Sequence, residues 1–262
     1  QLVGNCAEIH RPLRAGDCGA MLTARFRHLD LQRGHRVLDL GCGEGRHAHG
    51  LHMLGGLDVV GVDLDEASLQ KAREGLATLP PRASDDRHET RFMRADATKL
   101  DFEDGAFDAL ICSEVLEHLP DYDAALREIR RVLKPEGRLC VTVPHAWPER
   151  ICWRLAPPPD GYPFQPGGHI RIFDKVDLRF SIERHGFRLF RRHHAHGIHS
   201  PYWWLKCAVW ARRDDHPLVT AYHRFLVWDL MKKPWLTRGL DAVLSPVMGK
   251  SLVLYFRGVP GQ

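Results

Sequence analysis

No uninterrupted apolar stretch in this chain approaches the ~18 residues that a membrane-spanning helix requires. The nearest, residues 202–211, is short and is broken by Lys206. The opening residues carry no secretory-type stretch, and the first residue is Gln1. The seven cysteines are odd in number and never fall at CxxC spacing. A disulfide scaffold is therefore not expected; Cys42, Cys112 and Cys140 sit in or beside apolar runs and read as reduced, buried thiols of a cytoplasmic protein. Charge of one sign is also lacking. With 37 basic and 33 acidic residues the net charge is only +4, too mild to call for a nucleic-acid partner. No internal repeat is visible. A chain that is 44% hydrophobic and 27% charged is no disordered polymer, collagen-like repeat or coiled coil. Its 262 residues suit one large domain with a sizeable core. Histidine is what abounds, with 17 residues. Its reference pKa of ~6.5 lies near working pH, so it suits proton transfer.

Strand-like and helix-like stretches alternate through the first two thirds. Apolar runs at 35–40, 57–62, 107–112 and 138–143, with a weaker one at 91–94, read as strands. Helices are expected over 45–54, 66–77 and 122–133, the second capped by Asp65 and the third ended by Pro135-Glu136-Gly137. Runs apolar on both faces argue for a parallel sheet covered by helices, an α/β fold. Beyond Val143 the texture changes. Residues 144–168, with three prolines at 157–159, read as a long ordered loop. A helix follows over 174–185 and a strand over 187–193. A Trp-rich block of about fifty residues, punctuated by Pro217, Pro234 and Pro246 into two or three short helices, precedes a last strand at 251–257.

The most informative stretch is Val37-Leu38-Asp39-Leu40-Gly41-Cys42-Gly43-Glu44-Gly45-Arg46. A strand enters a glycine-rich turn and then a helix, where backbone can approach a ligand closely. The dinucleotide fingerprint GxGxxG needs glycine at 46, and Arg46 stands there. Asp63 ends the second strand, where a carboxylate can accept both ribose hydroxyls of an adenosine. Asp96, after the third strand, could accept from an adenine amine. Residues 107–119 bring polar groups to the same crevice.

On these segments (VLDLGCGEG, VVGVDLD, RADATKLDF, FDALICSEVLEHL and REIRRVLKPEGRLCVTVP, in order over about 35–145) the chain resembles the class I S-adenosylmethionine-dependent methyltransferases. The likeness is to the ubiquinone-biosynthesis and small-molecule types. It implies a Rossmann-like, seven-stranded, mainly parallel sheet with helices on both faces and an antiparallel last strand. It implies S-adenosylmethionine as cofactor. Asp39, Gly41, Cys42 and Gly43 would surround its methionine part, with Gly45 also in the cofactor-binding turn and Ser113 near the amino group. Asp63 would hold the ribose with Leu64 beside the adenine, and Asp96 and Ala97 would meet the adenine edge. The division expected is a helical segment over 1–34, a cofactor-binding core over 35–145 and an acceptor-side loop, helix and sixth strand over 146–196. A helical lid insertion over 197–249, absent from a minimal family member, and a last strand over 250–257 complete it.

A hydroxyl acceptor needs a base. His145, His169 and Glu114 are the candidates, with Glu117 and His118 read as packing or capping residues. No metal is assigned. His194 and His196 would share a face if the strand ran on through them, but no carboxylate or cysteine stands at matching spacing. The acceptor is expected to be a small molecule, with oxygen first, carbon second and nitrogen third. Two other classes compete, an NAD-dependent oxidoreductase and a non-catalytic cofactor-binding protein. Lys232, Lys233 and Arg238 beside tryptophans hint at contact with a membrane surface.

Overall fold

The computed structural model describes residues 22–82, 86–156, 161–165, 168–232 and 234–260. Seven strands form one sheet: β1 (Arg36–Leu40), β2 (Asp58–Asp63), β3 (Thr90–Arg94), β4 (Phe107–Ser113), β5 (Leu133–Pro144), β6 (Phe187–Ala195) and β7 (Ser251–Gly258). Their order is β3-β2-β1-β4-β5-β7-β6. The first five are parallel. β7 runs antiparallel to both β5 and β6, so β6 runs in the same direction as β5. This is the Rossmann-like α/β sheet expected from the sequence.

Among the described residues eight α-helices join the strands: α1 (Arg46–Leu54), α2 (Glu66–Ala77), α3 (Tyr122–Val132), α4 (Ala146–Leu155), α5 (Lys175–Glu183), α6 (His199–Ala208), α7 (Pro217–Lys232) and α8 (Trp235–Met248). Asp65, Asp121 and Asp174 cap α2, α3 and α5 by accepting from Ser68, Ala124 and Val176 amides. Alternation along each strand feeds two apolar layers. Leu38, Leu110 and Val141 meet α3 and α5 on one face, while Val37, Ile111 and Cys140 meet α1 and α2 on the other. Each fully buried aliphatic or aromatic side chain of this kind contributes about 1.5–3 kcal/mol.

Three expectations change. The loop expected over 144–168 contains α4. Pro148 hid it, yet proline is tolerated in a first helical turn, where the amide has no intrahelical partner. Pro135-Glu136-Gly137 lies inside β5, which begins at Leu133 through an irregular register against β4. Pro246, expected to punctuate the late block, lies within the last turn of α8, whereas Pro217 opens α7 and Pro234 caps α8. The described part of the 1–34 segment holds a single short 3-10 turn, Phe26–His28; residues 1–21 and the prolines at 157–159 fall outside the described residues, as does Lys233.

The block between β6 and β7 carries its own small core of Ile198, Tyr202, Val219 and Leu226. Trp203, Trp204 and Trp210 pack on Cys152, Ala156 and Cys207, joining α6 to α4. Ser251 pairs with both Pro144 and Ala195, so the block leaves and re-enters the sheet at the carboxyl ends of β5 and β6.

Candidate functional site

The carboxyl ends of β1, β2 and β4 converge on the glycine turn. Gly41, Gly43 and Gly45 all have positive φ, at 68°, 52° and 85°. A Cβ on Gly41 would stand 2.3 Å from Val115 Cγ2, whereas one on Gly43 would meet nothing within 4 Å. The two glycines therefore serve different ends. Gly41 lets the turn close against Val115, and Gly43 faces open space. Gly41→Ala is expected to cost stability through both the clash and about 1–2 kcal/mol of left-handed backbone strain. Gly43→Ala should pay only the strain but obstruct a ligand. Thermal melts with and without cofactor read this contrast.

Asp63 accepts from the Gly43 amide at 2.8 Å and from the Asp65 amide at 3.0 Å, which ties the end of β2 to the turn. Asp39 is buried. One of its oxygens accepts from the Ala48 amide at 3.0 Å and the other has no partner. Burial raises its pKa to about 7 despite that amide and the nearby Arg46 guanidinium. Ser113 pairs with Thr142 at 2.9 Å. Ala97 is buried, Leu64 is half exposed, and Asp96 spends one oxygen on the Thr98 amide and hydroxyl. Cys42 is buried, and burial pushes its thiol pKa up. The unpartnered Asp39 oxygen and the open space at Gly43 fit a polar, nucleoside-type cofactor on this rim.

A second cluster lies beyond β4 and β5. Glu114 has φ +56°, uncommon for a residue with a Cβ and a mark of backbone held for a purpose. Its carboxylate accepts from the Thr142 hydroxyl at 2.9 Å. His169 Nδ1 donates to Glu149 Oε1 at 2.6 Å, and Trp153 Nε1 donates to the same oxygen at 3.1 Å. Lys250 Nζ donates to the other oxygen at 2.5 Å. Burial alone would raise Glu149, but Lys250 and His169 override it and hold the carboxyl at about 2. A carboxylate only accepts, so Nδ1 of His169 carries a proton, and Nε2 is an acceptor in the neutral ring.

His118 Nδ1 donates to the Gly168 carbonyl at 3.2 Å, and its ring meets that of His169 edge to face at 5.0 Å. Glu117 is fully buried and neither oxygen has a partner. Burial, then Glu114, pushes its pKa well up. Glu117, His118 and His169 each bring one ligand atom within 4.8 Å of the others, so a divalent cation has a candidate seat here.

The sequence candidates thus separate. Glu114 and His169 share one neighbourhood with Glu117 and His118, which sequence reading took for packing residues. His145 stands elsewhere. It donates Nδ1 to the Gly249 carbonyl at 3.1 Å and stacks on His194 at 4.1 Å. Burial, then His194, lowers its pKa to about 4. The shared face expected of His194 and His196 does not form. β6 ends at Ala195 and His196 has φ +65°, so His194 bonds Pro246 while His196 bonds Thr23. Sequence reasoning missed Glu149, Lys250 and Thr142. A carboxylate four residues after His145, in what read as loop, was the available sign of the first.

Residues 38–141 match the family model described as a methyltransferase domain. The chain is 36% identical over 126 residues to the methyltransferase GfsG of Streptomyces halstedii, covering 48% of this chain and 44% of that protein. It is 40% identical over 127 residues to a demethylmenaquinone methyltransferase of Thermus thermophilus, covering 47% and 54%. A ubiquinone biosynthesis O-methyltransferase of Alkalilimnicola ehrlichii is 36% identical over 107 residues, covering 40% of each. The chain spans about half the length, or less, of these relatives. Among solved structures it resembles an S-adenosylmethionine-dependent methyltransferase from Methanosarcina mazei, with TM-score 0.57, 16% identity and coverage of 91% and 99%. It also resembles SpnF, described as a [4+2]-cyclase, with TM-score 0.58, 22% identity and coverage of 90% and 78%. The fold alone therefore leaves the chemistry open, whereas the matched model narrows it: residues 38–141 form a methyltransferase domain, similar in sequence to S-adenosylmethionine-dependent methyltransferases of small molecules.

Proposed function

We propose that the protein transfers a methyl group from S-adenosylmethionine to a hydroxyl oxygen of a small-molecule acceptor. The observation that carries this reading is a Lys250–Glu149–His169 relay: buried Glu149 pairs with Lys250 on one oxygen and fixes the His169 imidazole through Nδ1 on the other, in the neighbourhood of Glu117 and His118. When bound, the cofactor supplies a methyl group already activated on a sulfonium. The chain's part is to bind, orient and take a proton. Asp63 and the Gly41–Gly45 turn would hold the nucleoside and methionine ends. His169 Nε2 would take the hydroxyl proton as oxygen becomes nucleophilic, and Glu149 would stabilise the imidazolium that results. Lys250 keeps Glu149 ionised for that task. Positioning of the two reactants supplies much of the remaining rate.

Transfer to a neutral amine would need less of this apparatus, since its lone pair attacks without prior loss of a proton. The test is incubation with methyl-labelled S-adenosylmethionine and a panel of phenolic, aliphatic-hydroxyl and amine acceptors. Label recovered as a methyl ether supports the reading; label on carbon or nitrogen alone contradicts it. A second reading is favoured by the unpartnered Glu117, which with His118 and His169 would seat a cation that acidifies the hydroxyl. Activity that survives exhaustive chelation excludes it.

The helical block over 197–249 is proposed as the lid of the acceptor pocket. It departs from His196 and returns at Lys250, beside the relay. Trp204 Nε1 donates to the Pro148 carbonyl and Trp147 Nε1 to that of Val247, which latches the block to α4.

A further inference from the structure

We infer that α7 and α8 form a docking face for an anionic lipid bilayer. On α8, Leu236, Leu240, Val243 and Val247 recur at intervals of four, three and four, one stripe of a helix. That stripe is turned outward: Leu236 is 65% exposed, Val243 71% and Val247 67%, and Trp235 beside it is 83% exposed. On α7, exposed Trp228 stands four residues from both Arg224 and Lys232, on one face of that helix. Soluble proteins rarely expose contiguous apolar surface of this kind unless something covers it.

The charges decide what covers it. The acids of these two helices are Asp229 and Asp241, and neither is exposed. Asp241 accepts from the Ile198 amide and the Ser245 hydroxyl inside the block. The exposed charges among the described residues of α7 and α8 are Arg224, Lys232 and Arg238, all basic. Two copies meeting through this face would set bases against bases, because a twofold interface apposes a patch with itself. A protein partner would need hydrogen bonds at about one per 100–200 Å². The apolar stripe of α8 offers almost none, only the Trp235 indole at its edge, since Arg238 lies on the other side of the helix axis. Lipid asks for what is present: apolar side chains for the acyl boundary, tryptophan for the interface and basic residues for anionic headgroups. No helix among the described residues is long and apolar enough to cross a membrane, so the contact is superficial.

The test is co-sedimentation of the full chain with vesicles of phosphatidylcholine alone or mixed equally with phosphatidylglycerol. The reading is independent of methyl transfer, because nothing but bound protein is measured. Binding to the anionic vesicles is expected, with little to the neutral ones and a marked loss at high salt. The exposed double variant Leu236→Asp/Val243→Asp should bind ~10-fold less or weaker, with an unchanged circular dichroism spectrum and thermal midpoint. Equal binding of variant and parent, or no sedimentation with anionic vesicles, overturns the proposal. A parent that is dimeric by light scattering, with a monomeric variant, would assign the face to a second copy instead.

Discussion

His169→Asn is expected to lower kcat by ~10²–10⁴-fold, the usual contribution of a positioned general base, while cofactor affinity stays unchanged. The expectation rests on the separation of two jobs in space. The proposed cofactor rim is built from Gly41–Gly45, Asp39 and Asp63. His169 comes from the segment before α5 and touches Glu149, Tyr162 and His118. Asparagine keeps a polar group near Nδ1 and so spares Glu149 an unpaired face, but it cannot take a proton. Glu149→Gln should act through His169. Its loss should be smaller, fall on kcat rather than KM, and be deepest for the least acidic hydroxyl acceptors. Steady-state kinetics of both variants check this, and a loss in His169→Asn below about tenfold would count against the base.

The second large effect is on stability. Removing Lys250 as Lys250→Met should cost ~3–5 kcal/mol, because it strips buried Glu149 of its lysine partner and leaves Oε2 without a donor, with only His169 and Trp153 on Oε1. The pH dependence has a definite sign. Glu149 is held at about 2 against an ordinary 4.5. A depressed carboxyl contributes stability above 4.5 and loses it as pH falls toward 2; a shift of that size corresponds to roughly 3 kcal/mol. The parent should therefore weaken steeply below 4.5. Lys250→Met should lose that steepness as well as absolute stability. Glu117 works the other way. Its raised carboxyl contributes stability that is lost as pH rises, so Glu117→Gln should gain ground on the parent toward alkaline pH. Denaturant titrations across pH separate the two. A Lys250→Met protein as stable as the parent would remove the relay from this account.

Whatever depended on local backbone was legible in the sequence. The Gly41–Gly45 turn needs positive φ at fixed places, and Asp63 follows from where a buried strand ends. The strands from 35 to 143 announced themselves by being apolar on both faces. The relay was not legible, because it is assembled across the chain. Lys250 and Glu149 lie 101 residues apart. Glu149 also sits on a helix hidden behind Pro148. Glu117 looked like an ordinary helical residue, since nothing in one sequence reports that a carboxylate is buried without a partner. His145 drew attention by following β5 directly, yet its ring joins α4 to the return of the late block. The tryptophans could not be sorted either. Trp203, Trp204 and Trp210 pack inward, whereas Trp228 and Trp235 do not, and helix phase alone fixes neither without knowing what lies beneath.

The central claim is that the glycine turn and Asp63 form a site for S-adenosylmethionine. Calorimetric titration of the parent and of Asp63→Ala with S-adenosylmethionine, its demethylated product and NAD tests it directly. The account predicts binding of the first two by the parent and weakening by ~1.5–3 kcal/mol in Asp63→Ala, the scale of hydrogen bonds to a charged group. Tighter binding of NAD than of the methyl donor, or an Asp63→Ala protein that binds the donor as the parent does, would contradict it.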